Sequence, residues 1–412
     1  MGLDNLEAAG ASADASKPSM VDRLKDRIWP EEVKGLILGD YENAPYVKKG
    51  RVFTRALRTH QRISEPIPAG ESGITSLCRG ANGKIYGATS GRQSHLFYYD
   101  PSPAGDGVAD AAVLPGVKSV KRGLAVGAGG LIFAAASEMM EPGESGPLFA
   151  YDTASDYMDE FRVYSGKIEH VAVPVEGECI AAICSDPTGQ FVYGLSSVTG
   201  TFFCYDVAKK KVKEFGRVSK DREFSRFLIM DGDGNVYGTH SLGTLFRFSA
   251  ENQIVEDLRI RIPCIAGREF YNALDTAVYE PSTGLIYGAG TADGLLFSMN
   301  PRTLEFRSLG KASAEPRVRA MTVSHDGRVF GIAGCEDGMG RLFCYDPARY
   351  ELQELGIMFA ASEIWRRGFE FDAACTGESG ELYFGENERE GHLFMYFPVP
   401  GVARSREYGL PF

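Results

Sequence analysis

The sequence predicts an all-β protein: a seven-bladed β-propeller of four-stranded antiparallel blades, closed by an N-terminal strand. Three observations predict it. A phrase that runs Tyr-Gly, a variable loop, Leu-Phe and a strand-ending Asp or Asn recurs in seven copies, among them "KIYGATSGRQSHLFYYDP" and "FVYGLSSVTGTFFCYD". Its aromatic landmarks (Tyr86, Phe133, Tyr193, Tyr237, Tyr287, Phe330 and Phe384) are spaced by roughly 43 to 60 residues, the length of one four-stranded unit. No helix-period segment competes over residues 70–400, where short apolar runs alternate with glycine-rich turns.

Each copy resolves into four strands, A to D. Strand A is an apolar run such as "GITSLC" or "SRFLIM", and a small-residue turn follows it: "ANGK", "AGGL", "PTGQ", "GDGN", "STGL", "HDGR" or "ESGE". Asn-Gly, Asp-Gly and Gly-Gly supply the positive backbone angles of tight hairpins. Strand B carries the aromatic landmark. Strand C starts at Leu96, Leu148, Phe202, Leu245, Leu296, Leu342 and Leu393, and in most copies ends on Asp or Asn (Asp100, Asp152, Asp206, Asn300, Asp346). Strand D is more polar, as in "VKEFG" and "LQELG". The last copy has no obvious strand D before the chain ends. The segment "RVFTRALR", Arg51 to Arg58, is therefore expected to pair with strand C of the last blade and close the ring, removing exposed sheet edges. The domain reading is an N-terminal extension over 1–50, the propeller over 51–400 and a tail over 401–412. The opening "MGLDNLEAAGASADASKPSM" is small, polar and free of aromatics, hence expected to be disordered.

A chain of 412 residues has two domains as its ordinary expectation, which a regular repeat overrides. A formal net charge of −11 argues against nucleic acid or an anionic membrane as a partner of the whole surface. No apolar stretch approaches the roughly 18 residues of a membrane span, and the N-terminus has no hydrophobic signal core. The expected location is cytoplasmic, or secreted if a signal peptide has been removed. The cysteines (Cys78, Cys179, Cys184, Cys204, Cys264, Cys335, Cys344, Cys375) fall mostly in strands and read as small buried hydrophobes. No cofactor or metal is expected. "DGDGN" opens like a calcium loop, yet the twelfth position from Asp231 is Leu242 instead of Glu. "GAGG" at 127–130 lacks the helix of a dinucleotide site, and the histidines lack metal-ligand spacing.

In such a fold the A–B and C–D turns share one face. The B–C loops and D–A connections share the other, around the mouth of the central channel, and these vary most, which is where function usually sits. Aligning the A strands on their turn glycines puts Thr75, Arg122, Ala181, Arg226, Thr276, Arg319 and Asp372 at one position. Arg122, Arg226 and Arg319 then converge on the axis, with Arg268, Arg317, Arg366 and Arg367 in nearby connections. Gathered like charges need carboxylates or an anionic ligand between them. Both readings stand: a buried network with Asp372, Glu370 and Glu269, or an anion site.

His240 occupies the place taken elsewhere by Thr89, Ala136, Ser196, Gly290, Ala333 and Asn387, so the blade itself does not require imidazole. It reads as a hydrogen-bonded rim residue or as a base beside Arg226. Tyr271, in "GREFYNALD", enters from the next D–A connection and reads as rim packing or as a proton donor. His95 and His392 both precede Leu-Phe, which points to a repeat-linked structural role. His170 falls in the long connection between blades two and three, and His325 in an A–B turn on the opposite face.

Over residues 51–400 the phrase resembles the kelch-like and quinoprotein-like propeller superfamily. More narrowly it resembles propeller polysaccharide lyases that cleave uronate-containing glycans, such as ulvan lyases. The resemblance implies His and Tyr for proton transfer and Arg to neutralise the uronate. The reading that follows is β-elimination on an acidic oligosaccharide or polysaccharide. His240 is the base, Tyr271 the acid, and Arg122, Arg226 and Arg319 hold the carboxylate, with Arg367, His95 and His170 as further substrate contacts. The alternative is a non-catalytic propeller that binds an anionic sugar or a protein partner, since fold alone does not decide. No nucleic-acid or membrane partner is expected, and the repeat carries no information on oligomeric state.

Overall fold

Among the described residues seven antiparallel blade sheets follow one another along the chain, and within each repeat the strands pair with the next in sequence. The structure is a computed structural model that describes residues 46–47, 49–57, 67–102, 108–156, 167–221, 223–334, 339–360 and 366–399. The opening 20 residues, Cys335, Arg58 and the tail over 401–412 lie outside them. Blades one to six span 73–113, 124–172, 180–217, 229–261, 274–311 and 318–357. Blade seven takes strands A to C from 371–397 and its outermost strand from Arg51–Ala56. This is the predicted closure: Arg51 pairs with Phe397 and Ala56 with His392, in antiparallel register.

The recurrent phrase has a packing cause. Strand register sets Gly87 opposite Phe97, Gly194 opposite Phe203, Gly238 opposite Phe246, Gly288 opposite Phe297 and Gly331 opposite Phe343. At each, a Cβ on the glycine would overlap the phenylalanine ring. The missing side chain lets the strand C ring lie flat across strand B, so Tyr-Gly and Leu-Phe occur together in these five blades, while Phe149 faces Ala134 and Phe394 faces Phe384. The tyrosine before the glycine turns the other way and anchors its hydroxyl: Tyr237 donates to Asp231 at 3.0 Å and Tyr86 to Asp156, while in blade seven Tyr383, followed by Phe384, donates to Glu381 at 3.0 Å.

The cores lie between blades. Blades three and four interlock through Tyr193, Phe202, Phe246 and Phe248, with the Phe202 and Phe248 rings stacked at 4.9 Å. Phe248 is 2% exposed, so its burial contributes about 1.5–3 kcal/mol. On the channel-mouth face a short ladder joins blades one and two, Val117–Ser119 pairing with Ser90 on one side and Glu138–Met139 on the other. The seven described cysteines are free thiols. Burial pushes those of Cys78 and Cys184 up to about 12, which suits inert packing residues. His170 differs from its expected place. It lies in the outer strand of blade two, Ile168–Ala172, opposite Phe149, because "IEHVA" continues the sheet before the connection begins.

Candidate functional site: the arginine-rich channel mouth

The inner strands surround an axial cavity of about 720 Å³, whose lining includes Thr75, Arg122, Thr276, Arg319 and Asp372, with His325 at the opposite end. A repeated backbone device turns strand A residues out of the ladder around it, and Thr75, Arg319 and Asp372 among them line it. Strand A is bulged against strand B between Ile74 and Ser76, Ile180 and Ala182, Leu274 and Thr276, Val318 and Ala320, and Phe371 and Ala373. A bulge leaves one residue out of the ladder and turns it away from the sheet. The displaced residues are Thr75, Ala181, Asp275, Arg319 and Asp372. In blade five the position is thus Asp275, one residue before Thr276, because the turn glycine Gly284 lies nine positions after the bulge where its counterparts lie eight. Alignment on the turn glycine shifts that blade by one, and the acid at the centre of the site escapes notice.

Asp275 is 1% exposed and receives two arginines. Arg317 donates to both its oxygens, at 2.6 and 2.8 Å, and Arg122 to Oδ1 at 3.1 Å. Burial alone would raise the Asp275 carboxyl, but the hydrogen bonds and charges of Arg317 and Arg122 hold it below the usual carboxylate range. Arg122 also donates to the Arg226 carbonyl at 3.3 Å and lies over the Phe227 ring. Its backbone is left-handed, at φ 50. That conformation, costing of order 1–3 kcal/mol in a residue other than glycine, is held by bonds from the Arg122 amide to Thr75 and from Ile183 to the Arg122 carbonyl.

Arg319 is matched differently. It pairs with Glu370 and, at 3.2 Å, with Asp372, which also accepts from Asn387 at 2.8 Å. Glu269 takes no part; its carboxylate accepts from the Gly267 amide at 3.1 Å. Arg226 sits where strand A of blade four is interrupted, between the Phe224–His240 bridge and the Ile229–Tyr237 pair. It is exposed and, among the described residues, makes no ion pair. Among the described residues the mouth thus carries the four arginines and three carboxylates named here, and the surplus falls on the side of blades two, four and five.

The other candidates lie farther out. The His240 ring is 13% exposed, with Nε2 3.3 Å from Asp257 Oδ1 on the outer strand of its own blade, off the axis of a hydrogen bond. Tyr271 closes a short 3-10 turn, Glu269–Tyr271, and is 74% exposed. That turn packs against the turn Ser241–Gly243 just after His240. His95 is buried, its Nδ1 2.9 Å from Asp110 and its Nε2 3.4 Å from Glu71. His392 is buried too, with Nδ1 2.8 Å from the Glu390 carbonyl. Arg367 sits in a two-residue hairpin strand opposite Phe359, in the connection from blade six to blade seven. Among the described residues no three His, Cys, Asp or Glu side chains group as metal ligands, and no helix is long and apolar enough to cross a membrane.

Comparison with known proteins bears on the fold. Two solved structures described as the extracellular domain of a one component and of a hybrid two component system from B. thetaiotaomicron are similar, with TM-scores of 0.57 and 0.58 at 12% identity. A third, described as the extracellular domain of another hybrid two component system of that organism, has a TM-score of 0.52 at 13% identity. They cover 89%, 88% and 80% of this chain, which spans only 42%, 42% and 40% of theirs. These likenesses place the chain among β-propellers. No protein-family model matches the sequence, and no curated protein does.

Proposed function

We propose that the protein is a binding propeller whose channel mouth receives an anionic sugar. One observation carries this reading: Arg122 and Arg317 converge on the single buried carboxylate of Asp275, with exposed Arg226 beside them. Arg226 adds a guanidinium that no ion pair among the described residues offsets, so positive potential remains at the mouth of a chain whose net charge is −11. Arginine forks suit a planar carboxylate or a sulfate ester, and Asp275 holds the forks in place before any ligand arrives. The similar solved structures are described as extracellular parts of one and two component systems, and a binding role fits such company more closely than a catalytic one.

Calorimetric titration with uronate hexasaccharides tests the reading. Affinity should fall as salt rises, and Arg226→Ala should weaken it several-fold with the fold intact. Binding that ignores both salt and Arg226 overturns it. A second reading, β-elimination from a uronate glycan, has one observation in its favour: His240 and Tyr271 stand on turns that pack together. It requires an unsaturated product with ultraviolet absorbance, formed by the wild type and lost in His240→Ala. Hexasaccharides that bind and are recovered intact would leave the binding role alone standing.

A further inference from the structure

We infer that Phe270 and Tyr271 form a stacking platform for a sugar ring, extending the channel-mouth site outward between blades four and five. The inference rests on the binding role proposed above and sharpens its ligand to an acidic oligosaccharide of several units, as opposed to a small anion.

The two rings are 72% and 74% exposed, and they meet edge to face with centroids 5.4 Å apart. Scattered aliphatic side chains on a surface need no explanation; two adjacent aromatic rings held in water do. The backbone beneath them is firmly tied. The Tyr271 amide donates to the Arg268 carbonyl at 3.1 Å, and its carbonyl accepts from the Thr291 hydroxyl at 2.6 Å. Arg268 donates to the Ala292 carbonyl at 3.2 Å, and the Ile265 amide to Asp293 at 2.5 Å. The scaffold thus fixes the turn without using either ring, which is how a preorganised contact surface is made.

Position links the platform to the arginines. The next residue, Asn272, is buried at 3% exposure, and the chain then runs directly into Asp275, the anchor of Arg122 and Arg317. A chain of sugars with one carboxylate at the mouth would lay a neighbouring ring over this turn. A sugar ring has an apolar C–H face and a rim of hydroxyls, the complement of an exposed aromatic pair with polar groups beside it. Those polar groups are present. Ser241 Oγ and Asn272 Oδ1 are enclosed beside these two packed turns without hydrogen-bond partners, and His240 Nε2 faces Asp257 Oδ1 at 3.3 Å, off the axis of a hydrogen bond. A small shift of either turn would give them the hydroxyl partners that the protein does not supply.

The test is calorimetric titration of the full chain and a Phe270→Ala/Tyr271→Ala double variant. The probes are hexasaccharides of galacturonate, of mannuronate and of glucuronate alternating with N-acetylglucosamine, together with free galacturonate and neutral maltohexaose. The double variant should melt like the wild type, since its rings are exposed. It should bind the preferred acidic hexasaccharide roughly tenfold more weakly while its weaker binding of free galacturonate is unchanged. Arg226→Ala should weaken both. A double variant that binds the hexasaccharide like the wild type overturns the platform and leaves the mouth reading intact. Loss in the double variant without loss in Arg226→Ala, with maltohexaose bound as well, would keep the platform and sink the anionic mouth. A wild type that binds none of the saccharides overturns the platform.

Discussion

Asp275 shows how much of the site depends on one side chain. It is the shared partner of Arg122 and Arg317, and all three sit where the backbone leaves regular pairing. Truncating a buried ionic partner strands the charges it held. The two arginine side chains here are 20% and 29% exposed, so water relieves part of that cost. Asp275→Ala is expected to lose about 3 kcal/mol, the lower end for a broken buried pair, measured by urea denaturation. His95 gives the second residue-scale prediction. Burial alone would lower its pKa, but Asp110 and Glu71 outweigh burial and raise it above the ordinary histidine value. A raised folded pKa means stability that is fully present below the unfolded value, about 6.5, and lost as pH rises through the folded one. The melting temperature of the wild type should therefore exceed that of His95→Gln most at about pH 6, with the gap narrowing as pH rises. A gap that widens with pH would contradict the arrangement of charges around His95.

At the scale of elements, what the sequence reveals and what it hides have different physical origins. Blades were legible because their signals are local: a turn glycine, an aromatic, and a glycine forced to face a phenylalanine ring. Closure by Arg51–Ala56 was legible because a three-stranded last copy leaves an edge that some strand must cover. The bulges were not, since each depends on one unpaired residue, and a single extra residue between the bulge and the turn glycine of blade five exchanged Thr276 for Asp275. Nor was Phe270, because exposure has no local signature in a loop. The closing strand carries its own prediction. Gly50 enters it with φ 89, and a Cβ there would overlap the Phe397 carbonyl and the Tyr396 ring. Gly50→Val should then strain the seam from both causes and lower stability by about 1–3 kcal/mol, read as a lower urea midpoint with an unchanged slope.

The propeller is a ring whose blades pack chiefly against their neighbours, with the bridge from Arg122 of blade two to Asp275 of blade five crossing the channel, so its stability is shared among similar interfaces, with one join unlike the rest. At that join the strand made first meets a strand made almost last, Arg51 against Phe397. During synthesis the early strand has no partner until nearly the whole propeller has left the ribosome. For that interval its edge is open to any other chain, and the last blade, once made, has an open edge of its own. Side chains of the early strand bear on this: Arg51 is exposed and Arg55 half-buried, and charge on an unpaired edge discourages wrong partners. The seam that completes the last blade is thus also where a newborn chain is most open to mispairing, and its arginines act as a guard before they act as part of a blade.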